Sequence, residues 1–78
     1  MKVRVDVMLK SGVLDPQGEA VRAALGNLGF AGVEKVRQGK VIELELATDD
    51  PEQARAQATE MAEKLLANTV IESYRITL

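Results

Sequence analysis

Two carboxylate pairs, Glu43/Glu45 and Asp49/Asp50, are the side chains whose spacing could support acid–base chemistry. Neighbouring carboxylates can act as acid and base when their surroundings separate their pKa values. Structural roles account for both pairs. Glu43 and Glu45 alternate with Ile42, Leu44 and Leu46, which is the polar face of a strand, and Asp50 stands before Pro51 as a helix cap. Ser11 and Ser73 have no histidine anywhere in the chain to activate them, so a Ser–His–Asp relay is excluded. The lack of histidine also removes the commonest general base and the commonest zinc or copper ligand. The lack of cysteine removes a thiol nucleophile, disulfides and thiolate metal sites together. Catalytic and metal-binding residues are therefore expected to be none.

Anion binding has two weak candidates. The stretch Asp15-Pro16-Gln17-Gly18 opens a helix whose free amides could hold an anion, but Asp15 would repel a phosphate and no full phosphate-binding signature is present. Capping by Asp15 accounts for it. Arg37-Gln38-Gly39-Lys40 offers one glycine and two basic residues, which a turn with solvated charges explains. Lys64, near the end of the second helix, complements the helix dipole and needs no other role.

The elements that would position these residues belong to one domain covering 1–78, since 78 residues leave room for no second core. A chain this short buries only about three-fifths of its unfolded surface and gains from a partner. Ten basic and twelve acidic residues, with one tyrosine, one phenylalanine and no tryptophan, argue against nucleic-acid binding. Nothing reaches the length of a membrane-spanning run, and Met1-Lys2-Val3-Arg4 leads into strand-like alternation, so a cytoplasmic protein is expected.

Val3, Val5, Val7 and Leu9 alternate with polar residues over 2–10, the period of a strand with one face on a core. Asp15-Pro16 starts a helix with a stripe of Ala20, Val21, Ala24, Leu25 and Leu28, and Gly29 stops it. Residues 41–47 form a strand. Residues 33–37 read either as a separate strand joined through a tight Gln38-Gly39 hairpin or as one arm of a long bent strand over 33–47. The second option is favoured, because VEKVR has few inward apolar residues. Asp50-Pro51 opens a second helix, with Gln53 as a capping-box partner and Ala54, Ala58, Met61, Ala62, Leu65 and Leu66 as its buried stripe. It ends near Asn68, which could serve as its cap. A last strand over about 70–77 turns Tyr74, Ile76 and Leu78 to one face. The expected fold is α+β: a small antiparallel sheet with two helices on one face, β-α-β(-β)-α-β, either ferredoxin-like or its three-stranded variant. The open face carries Met8 and Ile71, where a partner would pack.

Three segments resemble the PurS family. They are 9–18 (LKSGVLDPQG) with Ala20-Val21, 36–40 (VRQGK) with Glu43-Leu44, and 61–74 (MAEKLLANTVIESY). Family members often have proline where Thr69 stands and cysteine where Ala62 stands. The resemblance implies a non-catalytic subunit of phosphoribosylformylglycinamidine synthase, in the fourth step of de novo purine synthesis. That ATP-dependent amidoligase complex converts formylglycinamide ribonucleotide, glutamine, ATP and water to formylglycinamidine ribonucleotide, glutamate, ADP and phosphate. It further implies PurL and PurQ as partners, ATP and magnesium on PurL with no cofactor on this chain, and a homo-oligomer, a dimer or dimer of dimers. Lys10, Asp15, Gln17, Arg37 and Lys40 are the residues expected on partner-facing surfaces, with Gly18 and Gly39 setting backbone geometry. A small-molecule regulatory module of ferredoxin-like fold is the alternative.

Overall fold

The computed structural model describes all of residues 1–78. Strand β1 (Lys2–Leu9) is followed by helix α1 (Pro16–Asn27), strand β2 (Lys40–Glu45), helix α2 (Pro51–Met61) and strand β3 (Glu72–Thr77). The sheet is three-stranded and antiparallel in the order β2-β1-β3, the three-stranded form of the expected α+β fold. Val5 sits between Ile42 on one side and Ile76 on the other. The valines of β1 close the core at 0–1% exposure, as their alternation requires. Against them lie Ala54, Ala58 and Ala62, all fully buried. Alanine is what lets the α2 backbone approach the sheet this closely, and α2 rests over β1 and β3.

Both aspartates cap their helices. Asp15 accepts from Gly18 N at 2.8 Å and Asp50 from Glu52 N at 3.1 Å, with proline at the first helical position in each. Gly29 ends α1 in the left-handed region at φ 97°.

Several local expectations are corrected. Residues 33–39 form neither a hairpin strand nor one arm of a bent strand, and β2 starts only at Lys40. Gln53 closes no capping box: Thr48 Oγ1 accepts from Asp50 N at 3.1 Å and lies 2.6 Å from Gln53 Oε1. The stripe of α2 breaks at its end. Residues 62–66 form a π turn in which Ala67 N donates to Ala62 O at 3.0 Å. The buried positions therefore run 54, 58, 62, 67, and the extra residue turns Leu65 outward at 83% exposure. Asn68 does not cap α2: its side chain accepts from Val70 N at 3.2 Å, while its carbonyl accepts from Ile71 N and Glu72 N, making the turn into β3. Leu78 is 46% exposed, outside the inward set of β3.

The largest departure is α1. Its apolar stripe does not meet the sheet: Ala20, Val21, Ala24 and Leu28 are exposed and only Leu25 is half-buried. An eight-residue strand of roughly 26 Å and a twelve-residue helix of roughly 18 Å, laid end to end, account for most of the 48 Å long axis. The radius of gyration is 15.9 Å, against about 11.5 Å for a compact domain of this length.

Candidate functional site: the junction at the base of the first helix

The five candidate residues gather where β1 ends, α1 begins and β2 begins. Asp15 is the centre of this junction. One carboxylate oxygen takes the Gly18 amide and the other takes the Gln38 amide at 2.8 Å, tying α1 to a segment 23 residues further along. Gln17 reinforces the tie through its side chain, which accepts from Gln38 Nε2 at 3.2 Å. Arg37 donates to the carbonyl of Leu9 at the end of β1. Lys10 donates to Thr69 O at 2.6 Å, fastening the same corner to the turn before β3. Lys40 opens β2 opposite Val7, is exposed, and makes no ion pair. Asp15, Gln17, Arg37 and Lys10 thus have intramolecular work, and Lys40 is the free charge of the set.

The two glycines are required by close approach. A Cβ on Gly18 would overlap the carbonyl of Val36, and one on Gly39 would overlap Val7 O and Met8 Sδ. Sequence reasoning missed Gln38, whose backbone N–H completes the Asp15 tie, and Glu72, which accepts from Asn68 N at 2.6 Å. The signal for a contact at 38 was Gly39 itself, since a glycine outside a tight turn marks a backbone approached by another chain segment.

The N–H groups of Gln38 and Gly18 and, to a lesser degree, the Arg37 charge hold the Asp15 carboxyl below the ordinary carboxylate range. A carboxylate whose charged form is held by two backbone N–H donors is a weak proton acceptor, so the junction is suited to holding geometry and not to moving protons. The cleft beside it, about 380 Å³, is lined by Asp15, Gln17, Gln38, Lys40 and Glu72 over Val7 and Leu9. Its two carboxylates disfavour anionic ligands, and nowhere do three acidic side chains converge as a metal site would need. Because the folded-state pKa of Asp15 is depressed, its stabilisation is complete above about pH 4 and is lost as pH falls through the folded value. Asp15→Asn, which turns an amide group toward one of the two N–H donors, lowers the melting temperature at pH 7. Melting curves of the two proteins draw together below about pH 4; a gap independent of pH would show that the charge is not what matters.

A second surface is apolar. Leu44, Met61, Leu65 and Leu66, rimmed by Gln57, Glu60 and Lys64, line a groove of about 500 Å³ beside α2 and above β2. Lys64 pairs with Glu60 at 2.6 Å on that rim. No helix of the chain is long and apolar enough to cross a membrane.

Residues 2–78 match the PurS family model, described as phosphoribosylformylglycinamidine (FGAM) synthase. The PurS subunit of Mycobacterium leprae is 53% identical over 75 residues, 94% of this chain and 89% of that protein. A crystal structure of Bacillus subtilis PurS is 50% identical, with TM-score 0.86, covering 97% of this chain and 94% of that one. A chain of the structure of PurLQS from Thermotoga maritima is 36% identical, with TM-score 0.88, covering 97% and 93%. Over residues 2–78, the chain belongs to the PurS family of phosphoribosylformylglycinamidine synthase subunits.

Proposed function

We propose that this chain is the non-catalytic bridge of a phosphoribosylformylglycinamidine synthase complex, holding a PurQ glutaminase on a PurL synthetase in the cytoplasm. The reaction converts formylglycinamide ribonucleotide, glutamine, ATP and water to formylglycinamidine ribonucleotide, glutamate, ADP and phosphate, with ATP and magnesium held by PurL. The observation that carries this reading is the likeness over 97% of the chain to a subunit of the PurLQS structure. A bridge raises the effective concentration of one active site near the other, so ammonia crosses before it escapes. The exposed Lys40, which has no partner inside the chain, is the residue of the junction left to meet one outside. Lys10, Asp15, Gln17 and Arg37 act on partners indirectly, by shaping the surface they hold.

The chain does this as a homo-oligomer. Its accessible surface is 5581 Å², against about 4,700 Å² for a compact monomer of its mass. The excess of about 900 Å² matches what one partner gives to a standard protein interface, roughly 800 Å².

Synthesis of formylglycinamidine ribonucleotide by the matching PurL and PurQ tests the bridge, with glutamine or ammonia as nitrogen source. Adding this protein should raise the glutamine-dependent rate by an order of magnitude or more, on the order of the gain from tethering two modules. The ammonia-driven rate should stay unchanged. Equal rises in both would place its action on the synthetase, and no rise in either would remove the bridging role.

A further inference from the structure

The cleft beside the junction holds two opposite charges that do not meet. Lys40 stands opposite Val7 and Glu72 opposite Leu9, so both side chains rise from the inner face of the sheet, on either side of β1. Two strand spacings across and two residues along put their Cα atoms about 12 Å apart. Neither forms an ion pair, with the other or with any group of the chain. Glu72 gives one oxygen to Asn68 N and keeps the second free. Val7 and Leu9 make an apolar floor between them. Asp15, also in the cleft, has both oxygens engaged by backbone amides.

Two carboxamides line the same cleft, each with part of its capacity unused. Gln38 Nε2 donates to Gln17 Oε1 at 3.2 Å, which leaves Gln17 Nε2 as a donor and Gln38 Oε1 as an acceptor. Turning both amides over would exchange these roles and still leave one donor beside one acceptor. A third carboxamide fits that arrangement, giving one hydrogen bond and taking one. Lys40 and Glu72 offer the matching partners for a carboxylate and an ammonium.

We infer that the cleft binds a free α-amino acid with a side-chain carboxamide: its carboxylate on Lys40, its ammonium on Glu72 and its amide on Gln17 and Gln38. The volume of about 380 Å³ lies at the small end of ligand pockets, which run from about 300 to 1,000 Å³. Such a molecule carries no net charge, which suits a cleft whose two carboxylates oppose an anion. Glutamine, the nitrogen donor of the proposed reaction, is the member of this class tested first, and that choice alone rests on the proposed function. The cleft binds and does not hydrolyse, because the chain has no cysteine or histidine and Asp15 is held by its amides. The Lys40 ammonium has three donors, so one can hold a ligand while another meets a partner protein.

Titrating the isotope-labelled protein with L-glutamine and following it by NMR tests the site without PurL or PurQ, so its failure is separate from that of the bridging role. The side-chain amides of Gln17 and Gln38 and the backbone amides of Lys40 and Glu72 should shift and saturate at millimolar ligand. L-Glutamate sets a further negative charge near Asp15 and should bind about tenfold more weakly or worse. Lys40→Gln should weaken L-glutamine binding by about tenfold or more, the usual loss with one charge-assisted hydrogen bond. Gln17→Glu keeps the oxygen that accepts from Gln38 Nε2 and removes the donor, so it should weaken binding too. Far-UV circular dichroism checks the fold of each variant, and Gln17→Glu carries the test should Lys40→Gln misfold. No saturable shift, equal binding of L-glutamate, or undiminished binding by either folded variant overturns the site.

Discussion

Ala58→Asp should leave the protein unfolded at 25 °C. Ala58 is fully buried beside Val3 and Ala54, with Met1, Leu44, Leu46 and Ile76 packed around them. No buried side chain in the protein is polar or charged, so an aspartate there meets no cation and no built hydrogen-bond partner. An uncompensated buried charge costs about 3–5 kcal/mol, and taking up a proton only trades that for an unmatched hydroxyl. Overlap of the larger side chain with β1 adds to the cost, because α2 approaches the sheet on alanines alone. A core of this size supplies a net stability of only about 3–5 kcal/mol. Far-UV circular dichroism and the loss of a cooperative urea transition would show the outcome. A folded Ala58→Asp protein would mean that α2 can lift from the sheet, and the packing described for it would be wrong.

Gly18→Val should detach α1 from the junction and leave the sheet intact. The branched side chain would overlap the Val36 carbonyl, a backbone group that cannot turn aside, and would crowd Asp15 Oδ2 at 2.8 Å from the new Cβ. Overpacking of this kind costs about 1–3 kcal/mol. The hydrogen bonds that Gly18 N and Gln38 N donate to Asp15 then open together, since both rely on the same carboxylate position. Hydrogen exchange separates this from global unfolding: the amides of residues 18 and 38 lose protection while the β1 ladders to β2 and β3 keep theirs. If protection fell equally in the ladders, the junction would be part of the folding core and not a tie added to it.

Much of the fold was legible because it is decided over short stretches of chain. The β1 alternation alone places Val3, Val5 and Val7 inside, and a strand with that pattern has only one face it can bury. Asp15-Pro16 and Asp50-Pro51 start their helices through contacts two or three residues away, which any reading of neighbours captures. The PurS motifs likewise carried the family, and the candidate residues they drew attention to do gather at one corner of the sheet. What those residues do there was less visible. Asp15 has a second bond, to Gln38, that turns a helix cap into a tie between distant segments.

By itself, then, the sequence determined the strands, the helix starts, the alanine face of α2 and the absence of histidine and cysteine chemistry. Each depends on residue type or on periods of two to four residues. Tertiary structure alone decided the course of 33–39, the outward turn of Leu65 and the direction of α1. Residues 33–39 take their path from the Asp15 and Leu9 contacts, not from their own propensity. Leu65 faces out because one extra residue in a π turn shifts the helical phase, which no apolar spacing announces. For α1, a stripe of Val21, Leu25 and Leu28 says only that the helix must cover something. Whether that surface lies in the same chain depends on a carboxylate and an amide 23 residues apart, and on the space two glycines leave for them.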